Sequence, residues 1–185
     1  MKKIKNIGLI PLGIVVAVTI FACSKSFLEK PPLGTLNPQI LATEDGVQGL
    51  LIGAYSLVDG EGASGDGFAS GASNWIFGGV TSDDAYKGSD PSDVADAAPM
   101  EQWTTLTPTN GAIPQKWNLC YSGIQRSNDV LNTLAIAEGI TPEKATAIQA
   151  QARFLRAFYH FEAKKVFGNI LPVDETVNPQ NTATS

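Results

Sequence analysis

Two stretches in the second half of the chain constrain its fold most, because each repeats apolar residues at helical spacing over many turns. Trp117, Tyr121, Ile124, Leu131 and Leu134 follow one stripe, with Asn128 on it, which predicts a helix from about Pro114 to Leu134. Pro114 suits its first turn. Ala145, Ile148, Ala152, Leu155 and Tyr159 mark a second helix from about Pro142 to Phe167. Thr141 is its expected N-cap, with Pro142 and Glu143 in the first turn. Lys164 and Lys165 suit the negative end, and Gly168 is the expected residue just past it. This second helix carries another apolar row: Phe154, Phe158 and Phe161. A helix apolar on two sides is expected between neighbours, as in helical-repeat arrays. The pattern predicts an all-α chain. Ile170 to Val173 then reads as extended, and Asn178 to Ser185 is polar without a core signal. A chain ending in a polar coil just after a sandwiched helix reads as the incomplete N-terminal portion of a longer helical protein.

An earlier helix is expected from about Glu44 to Val58, capped by Thr43, with Glu44 and Asp45 at the positive end of its dipole. Val47, Leu50, Leu51, Ala54, Tyr55 and Val58 recur at its helical spacing. Gly46, Gly49 and Gly53 each cost about 1 kcal/mol relative to Ala inside a helix, which points to a closely approached face. From Gly60 to about Gly111 periodicity fades, apart from a short helix expected over Ser73 to Val80. So long an irregular insertion is commonly functional.

The first residues are not a fold element. Lys2, Lys3 and Lys5 precede an apolar run from Ile7 to Ala22 that contains Pro11 and ends at Cys23. A charged start, a short apolar core and a small residue at the boundary make a secretory leader. The run is short for a membrane span, which needs roughly 20 residues. Ala22 directly before Cys23 resembles the bacterial lipobox, in which the cysteine thiol is acylated and becomes the first mature residue. Phe21 departs from that motif, where a smaller residue is usual. The expected organisation is a signal peptide over 1–22, a lipid-anchored tether over 23–38 and a helical domain over 39–185. Cleavage removes three of the 13 basic residues and none of the 18 acidic ones, so the mature chain carries −8. That balance argues against nucleic acid, whose binding rests on neutralising phosphates. Cys120 is the only other cysteine. It has no partner once Cys23 is acylated, and it reads as a small buried hydrophobe.

Nothing in the chain forms a catalytic constellation. The single histidine, His160, lies on a helix between apolar residues, and no serine shows a nucleophile-elbow pattern. Asp83 and Asp84 are adjacent loop residues, which do not hold the roughly 5–10 Å separation of a glycosidase pair. The acidic run from Asp83 to Asp96 lacks the ligand alternation of a calcium loop. The expectation is a non-enzyme with no catalytic residue, no metal and no cofactor. Arg126, Arg153 and Arg156 on largely apolar helices are expected to bond carboxylates or carbonyls between helices. Trp117 and Tyr121 are expected in the core. Sugars present apolar ring faces and hydroxyls together, so aromatic platforms beside Asp, Asn or Lys suit them. The candidate ligand-binding residues are therefore Tyr86 as a stacking platform, Asp83, Asp84 and Lys87 as hydroxyl partners, and Trp103 and Trp75. Of these, Trp75 beside Ile76 and Phe77 reads as packed first.

Four stretches together resemble the SusD/RagB family of nutrient-uptake lipoproteins. Phe27-Leu28-Glu29 follows the lipid cysteine and leads a proline-bearing tether. Ser73-Asn74-Trp75-Ile76-Phe77-Gly78 leads to Ser82-Asp83-Asp84-Ala85. Trp117 and Tyr121 precede Gly123-Ile124 and Asn128-Asp129-Val130-Leu131. Ala152-Arg153-Phe154-Leu155-Arg156-Ala157-Phe158-Tyr159 is followed by Phe167-Gly168 and Leu171-Pro172-Val173. The resemblance implies tetratricopeptide-like helical hairpins with a long irregular loop insertion. It implies lipid anchoring through Cys23 in the outer membrane of a Gram-negative bacterium, facing the cell surface. It also implies a SusC-like TonB-dependent barrel transporter as partner, and an oligosaccharide or other nutrient as ligand. The alternative is a helical-repeat scaffold lipoprotein that organises envelope complexes without a small-molecule ligand.

Overall fold

The computed structural model describes residues 38–58, 75–88, 90, 92, 95–104 and 106–177, all within one compact unit spanning Asn37–Ser185. The leader, the tether with Cys23, and the Gly/Ala/Ser-rich start of the insertion lie outside the described residues. The described elements are α1 (Pro38–Leu41), α2 (Glu44–Tyr55), a π-helical turn (Trp75–Val80), α3 (Ala97–Gln102), α4 (Ala112–Ile136) and α5 (Pro142–Phe167). Among the described residues there are no strands, and no helix is long and apolar enough to cross a membrane. The chain is all-α.

Local chemistry sets the helix ends. The Thr43 side chain accepts from the Gly46 N–H at 3.2 Å, and Thr141 does the same for Lys144 at 3.4 Å. Gly168, at φ 71°, takes a backbone conformation past α5 that glycine adopts without strain, and donates its N–H to the Lys164 carbonyl at 3.1 Å. The expected bounds of α5 are met, α4 runs two residues further at each end, and α2 stops at Tyr55 before a turn to Val58.

Helices α4 and α5 form a hairpin through residues 137–141, and α2 packs across both. Their shared core holds Val47, Leu51 and Ala54 from α2, Ile124, Val130 and Leu131 from α4, and Ile148, Ala152, Leu155 and Tyr159 from α5. The closest approach is at Gly123, where an added Cβ would stand 2.5–2.6 Å from three atoms of the Tyr159 ring. The Tyr159 hydroxyl reaches past it to donate to the Ala54 carbonyl at 2.6 Å, tying all three helices. A buried ion pair adds a second tie. Lys116 Nζ on α4 lies 3.2 Å from Glu162 on α5, and Lys165 reaches the other Glu162 oxygen at 2.6 Å.

Several expectations differ from the structure. Of the α2 glycines only Gly46 is closely approached, by the Leu41 backbone; Gly49 and Gly53 face open space. The short helix expected within the insertion is present and takes the π-helical form over Trp75–Val80. The second apolar row of α5 is only partly covered among the described residues: Phe158 packs against the core, while Phe154 and Phe161 are 65% and 60% exposed. Trp117 is 39% exposed rather than in the core, while Tyr121 is half-buried against it. They stack on each other with ring centroids 4.4 Å apart, and Phe167 meets Trp117 edge-on at 5.0 Å. Helical spacing records which face of its own helix a residue occupies. Coverage of that face depends on elements distant in sequence.

The arginines divide. Arg156 donates to Asn128 Oδ1 at 2.9 Å and pairs with Glu175, while Arg126 donates to the Gly53 carbonyl at 2.8 Å. Arg153 is exposed rather than buried between helices.

Candidate functional site

The described part of the insertion opens with the π-helical turn, which packs Ile76 against Ala97, Met100 and Ala112, with Trp75 and Phe77 half-buried beside them. Trp75 is therefore a packing residue in this second, smaller core. Beyond Val80 the chain turns back on itself, and the N–H groups of Asp84 and Ala85 both donate to the Gly79 carbonyl, at 3.1 and 2.9 Å. Asp83 makes this turn at φ 70°, a conformation that a short polar side chain tolerates better than most. Both Asp83 and Asp84 are exposed, and Asp84 accepts from the Ser82 hydroxyl at 3.1 Å.

Lys87, expected as a hydroxyl partner, lies differently from Asp83 and Asp84. Its side chain is turned inward and its ammonium donates to the Asp90 carbonyl at 2.6 Å. Its backbone N–H donates to the Glu101 carboxylate at 3.2 Å. Lys87 thereby clamps the turn after Tyr86 to α3, one residue beyond which Trp103 emerges. Tyr86 is 82% exposed and Trp103 72%. Trp103 ends α3 at φ 53°, where a residue with a Cβ costs about 1 kcal/mol or more. A strained, exposed tryptophan at a helix end is an outlier of the kind found at binding surfaces.

The far end of the loop is pinned by Asn110. Its amide donates to the Asp96 carbonyl at 2.7 Å, and its Oδ1 accepts from the Ala112 N–H at 3.1 Å. Asp90 accepts from the Ser92 hydroxyl at 2.6 Å and N–H at 2.8 Å, and those bonds hold its carboxyl below the usual range. Lys116 sits 5.8 Å from the Phe77 ring centroid, so the buried ion pair of the hairpin also braces the insertion. Sequence reasoning missed Glu101 and Asn110, because their partners lie 14 residues away in an aperiodic segment.

The groups with catalytic chemistry are committed to structure. His160 donates from Nδ1 to the Arg156 carbonyl at 2.9 Å, and its Nε2 accepts from the Val173 N–H at 3.0 Å. It pins the segment after α5 onto the helix. Cys120 is buried in the hairpin, and burial pushes its thiol up to about 11. Among the described residues no group of three His, Cys, Asp or Glu is placed to hold a metal ion.

Among the described residues, grooves lie along both helices of the hairpin. One, of about 590 Å³, runs between α5 and the segment 170–174 over Ala157, Phe161, Ile170 and Pro172. Its polar members are already bonded: Arg156 to Asn128 and Glu175, His160 as above, and Lys164 to Asn169. The other, of about 420 Å³, lies along α4 over Trp117, Asn118, Tyr121, Ser122, Gln125 and Arg126.

A family model described as starch-binding associating with outer membrane matches residues 73–185, which takes in the insertion, both long helices and the segment after them. The chain belongs to the SusD-like family. No curated protein matches it. In SusD-like terms the match begins just before the π-helical turn, so Tyr86, Trp103 and the α4–α5 hairpin all lie inside the family's own region. The family's description names binding and an outer-membrane association, and no reaction.

Proposed function

We propose that this chain is a lipid-anchored, cell-surface binding protein that captures a glycan and hands it to a TonB-dependent barrel transporter. Anchoring is assigned to acylated Cys23 and ligand capture to the insertion. Tyr86 and Trp103 are the stacking platforms, with Asp83 and Asp84 as hydroxyl acceptors. Lys87 is a positioning residue and Trp75 a packing one. The observation that carries this reading is the bond from the Lys87 N–H to Glu101. It ties the two segments bearing the exposed aromatics, in a region belonging to a family described as starch-binding. An aromatic face takes the apolar side of a pyranose, and each carboxylate oxygen accepts a hydroxyl. The scaffold reading draws on a different feature, the exposed Phe154 and Phe161 of α5, which suit a protein neighbour.

Isothermal titration of the full chain with maltoheptaose tests the reading. Tyr86→Ala and Trp103→Ala should each weaken binding about tenfold, the scale of one base–aromatic stacking contact, with melting temperatures unchanged. Unchanged affinity in both variants would remove the insertion from the site.

A further inference from the structure

We propose that the groove along α4 is a second carbohydrate subsite, separate from the insertion, with the Trp117–Tyr121 stack as its platform. The inference rests on the glycan-binding reading above and adds a site to it. Two rows of side chains build the groove. Trp117, Tyr121 and Gln125 stand at successive i, i+4 positions, and Asn118, Ser122 and Arg126 stand beside them one residue on. Such rows run about 12 Å along a helix, which is the length of a short oligosaccharide segment rather than of one ring.

The platform is fixed before any ligand arrives. Trp117 contacts two rings, Tyr121 stacked at 4.4 Å and Phe167 in a T-shaped arrangement at 5.0 Å. The Tyr121 hydroxyl donates to the Leu171 carbonyl at 3.0 Å, which sets its ring. Trp117 nevertheless remains 39% exposed, so an aromatic surface is presented and kept rigid. Preorganised rings bind with little loss of side-chain entropy.

The polar row supplies what sugar hydroxyls need. Asn118 and Ser122 make no side-chain bond among the described residues, so an amide and a hydroxyl stand ready as both donors and acceptors. Gln125 donates its amide to Asp129 at 2.8 Å, which leaves its own carbonyl oxygen to accept. Arg126 spends one nitrogen on α2, at the Gly53 carbonyl and the Ser56 hydroxyl, and keeps its other donors. The set is mostly neutral and mixes donors with acceptors, which fits a neutral glycan better than an anion. The larger groove beside α5 lacks this property, because its polar groups are already paired.

Titration of the full chain with maltoheptaose in four forms decides the matter, with melting temperature followed in each. The forms are wild type, Tyr86→Ala/Trp103→Ala, and each of these with Asn118→Ala/Ser122→Ala added. Both added positions contact solvent, so the fold should tolerate them. The expected result is residual binding in the Tyr86→Ala/Trp103→Ala form, weakened about fivefold or more by the added pair. Trp117→Phe in the same background should weaken it as well, and rules out an effect confined to hydrogen bonding. Binding in wild type that vanishes in Tyr86→Ala/Trp103→Ala, or that ignores Asn118→Ala/Ser122→Ala, would overturn this subsite and leave the insertion site standing. Absence of binding in wild type would overturn the glycan-binding reading and the subsite with it.

Discussion

Gly123→Ala places a local gain against a nonlocal loss, and the structure says which prevails. In the middle of a helix, Ala is better than Gly by about 1 kcal/mol. At this position, however, the new Cβ would meet the Tyr159 ring at 2.5–2.6 Å. The ring cannot swing away cheaply, since it is fully buried and its hydroxyl is anchored to the Ala54 carbonyl at 2.6 Å. Overpacking of this kind costs about 1–3 kcal/mol. Displacing the ring also endangers the Tyr159 bond, and an orphaned buried carbonyl costs about 1–3 kcal/mol. The balance is a net loss of about 3 kcal/mol. In urea denaturation this should lower the midpoint by about 1–2 M at the m-values usual for a chain of this size. Tyr159→Phe alone, which removes only the hydroxyl bond, should cost about 1–2 kcal/mol. In a Tyr159→Leu background the alanine has room, so the two changes should couple by more than about 1 kcal/mol. A neutral or stabilised Gly123→Ala in the wild-type background would refute the claim that α4 and α5 close on this contact.

Other outcomes follow from the same geometry. Glu162→Gln removes the carboxylate paired with the fully buried Lys116 ammonium and should cost about 3 kcal/mol in a urea melt, whereas Lys116→Met/Glu162→Leu should recover most of it. Glu175 is held below its usual pKa by the Arg156 hydrogen bond, so its contribution is present above about pH 4.5 and lost as pH falls through the lowered value. The difference in melting temperature between wild type and Glu175→Gln should therefore be largest near neutral pH and shrink in acid. Replacement of Cys23 by Ser should move the protein from the membrane fraction to the soluble fraction of expressing cells. Retention in the membrane equal to that of wild type would count against lipid anchoring.

The helices were legible because their signals are local. Thr141, Pro142 and Gly168 set the ends of α5 through bonds that span only a few residues, and Thr43 does the same for α2. The stripe Ile148, Ala152, Leu155 and Tyr159 marks the buried face of α5 directly. Membership of the SusD-like family was also readable, since the matched region 73–185 holds three of the four stretches that carry the resemblance. Tertiary structure decided which apolar and polar groups are covered. Trp117 and Ile124 share a stripe, yet one is exposed and the other buried, because Ile124 faces the core shared by α2, α4 and α5, whereas the rings beside Trp117 leave it 39% exposed. Lys87 and Asp84 look alike as loop charges, yet Lys87 turns inward because the Asp90 carbonyl receives its ammonium and Glu101 its backbone N–H. A residue's own propensity and its place in the helical repeat are written beside it in the chain. Its burial depends on which distant surface arrives, and that is fixed only when the helices pack.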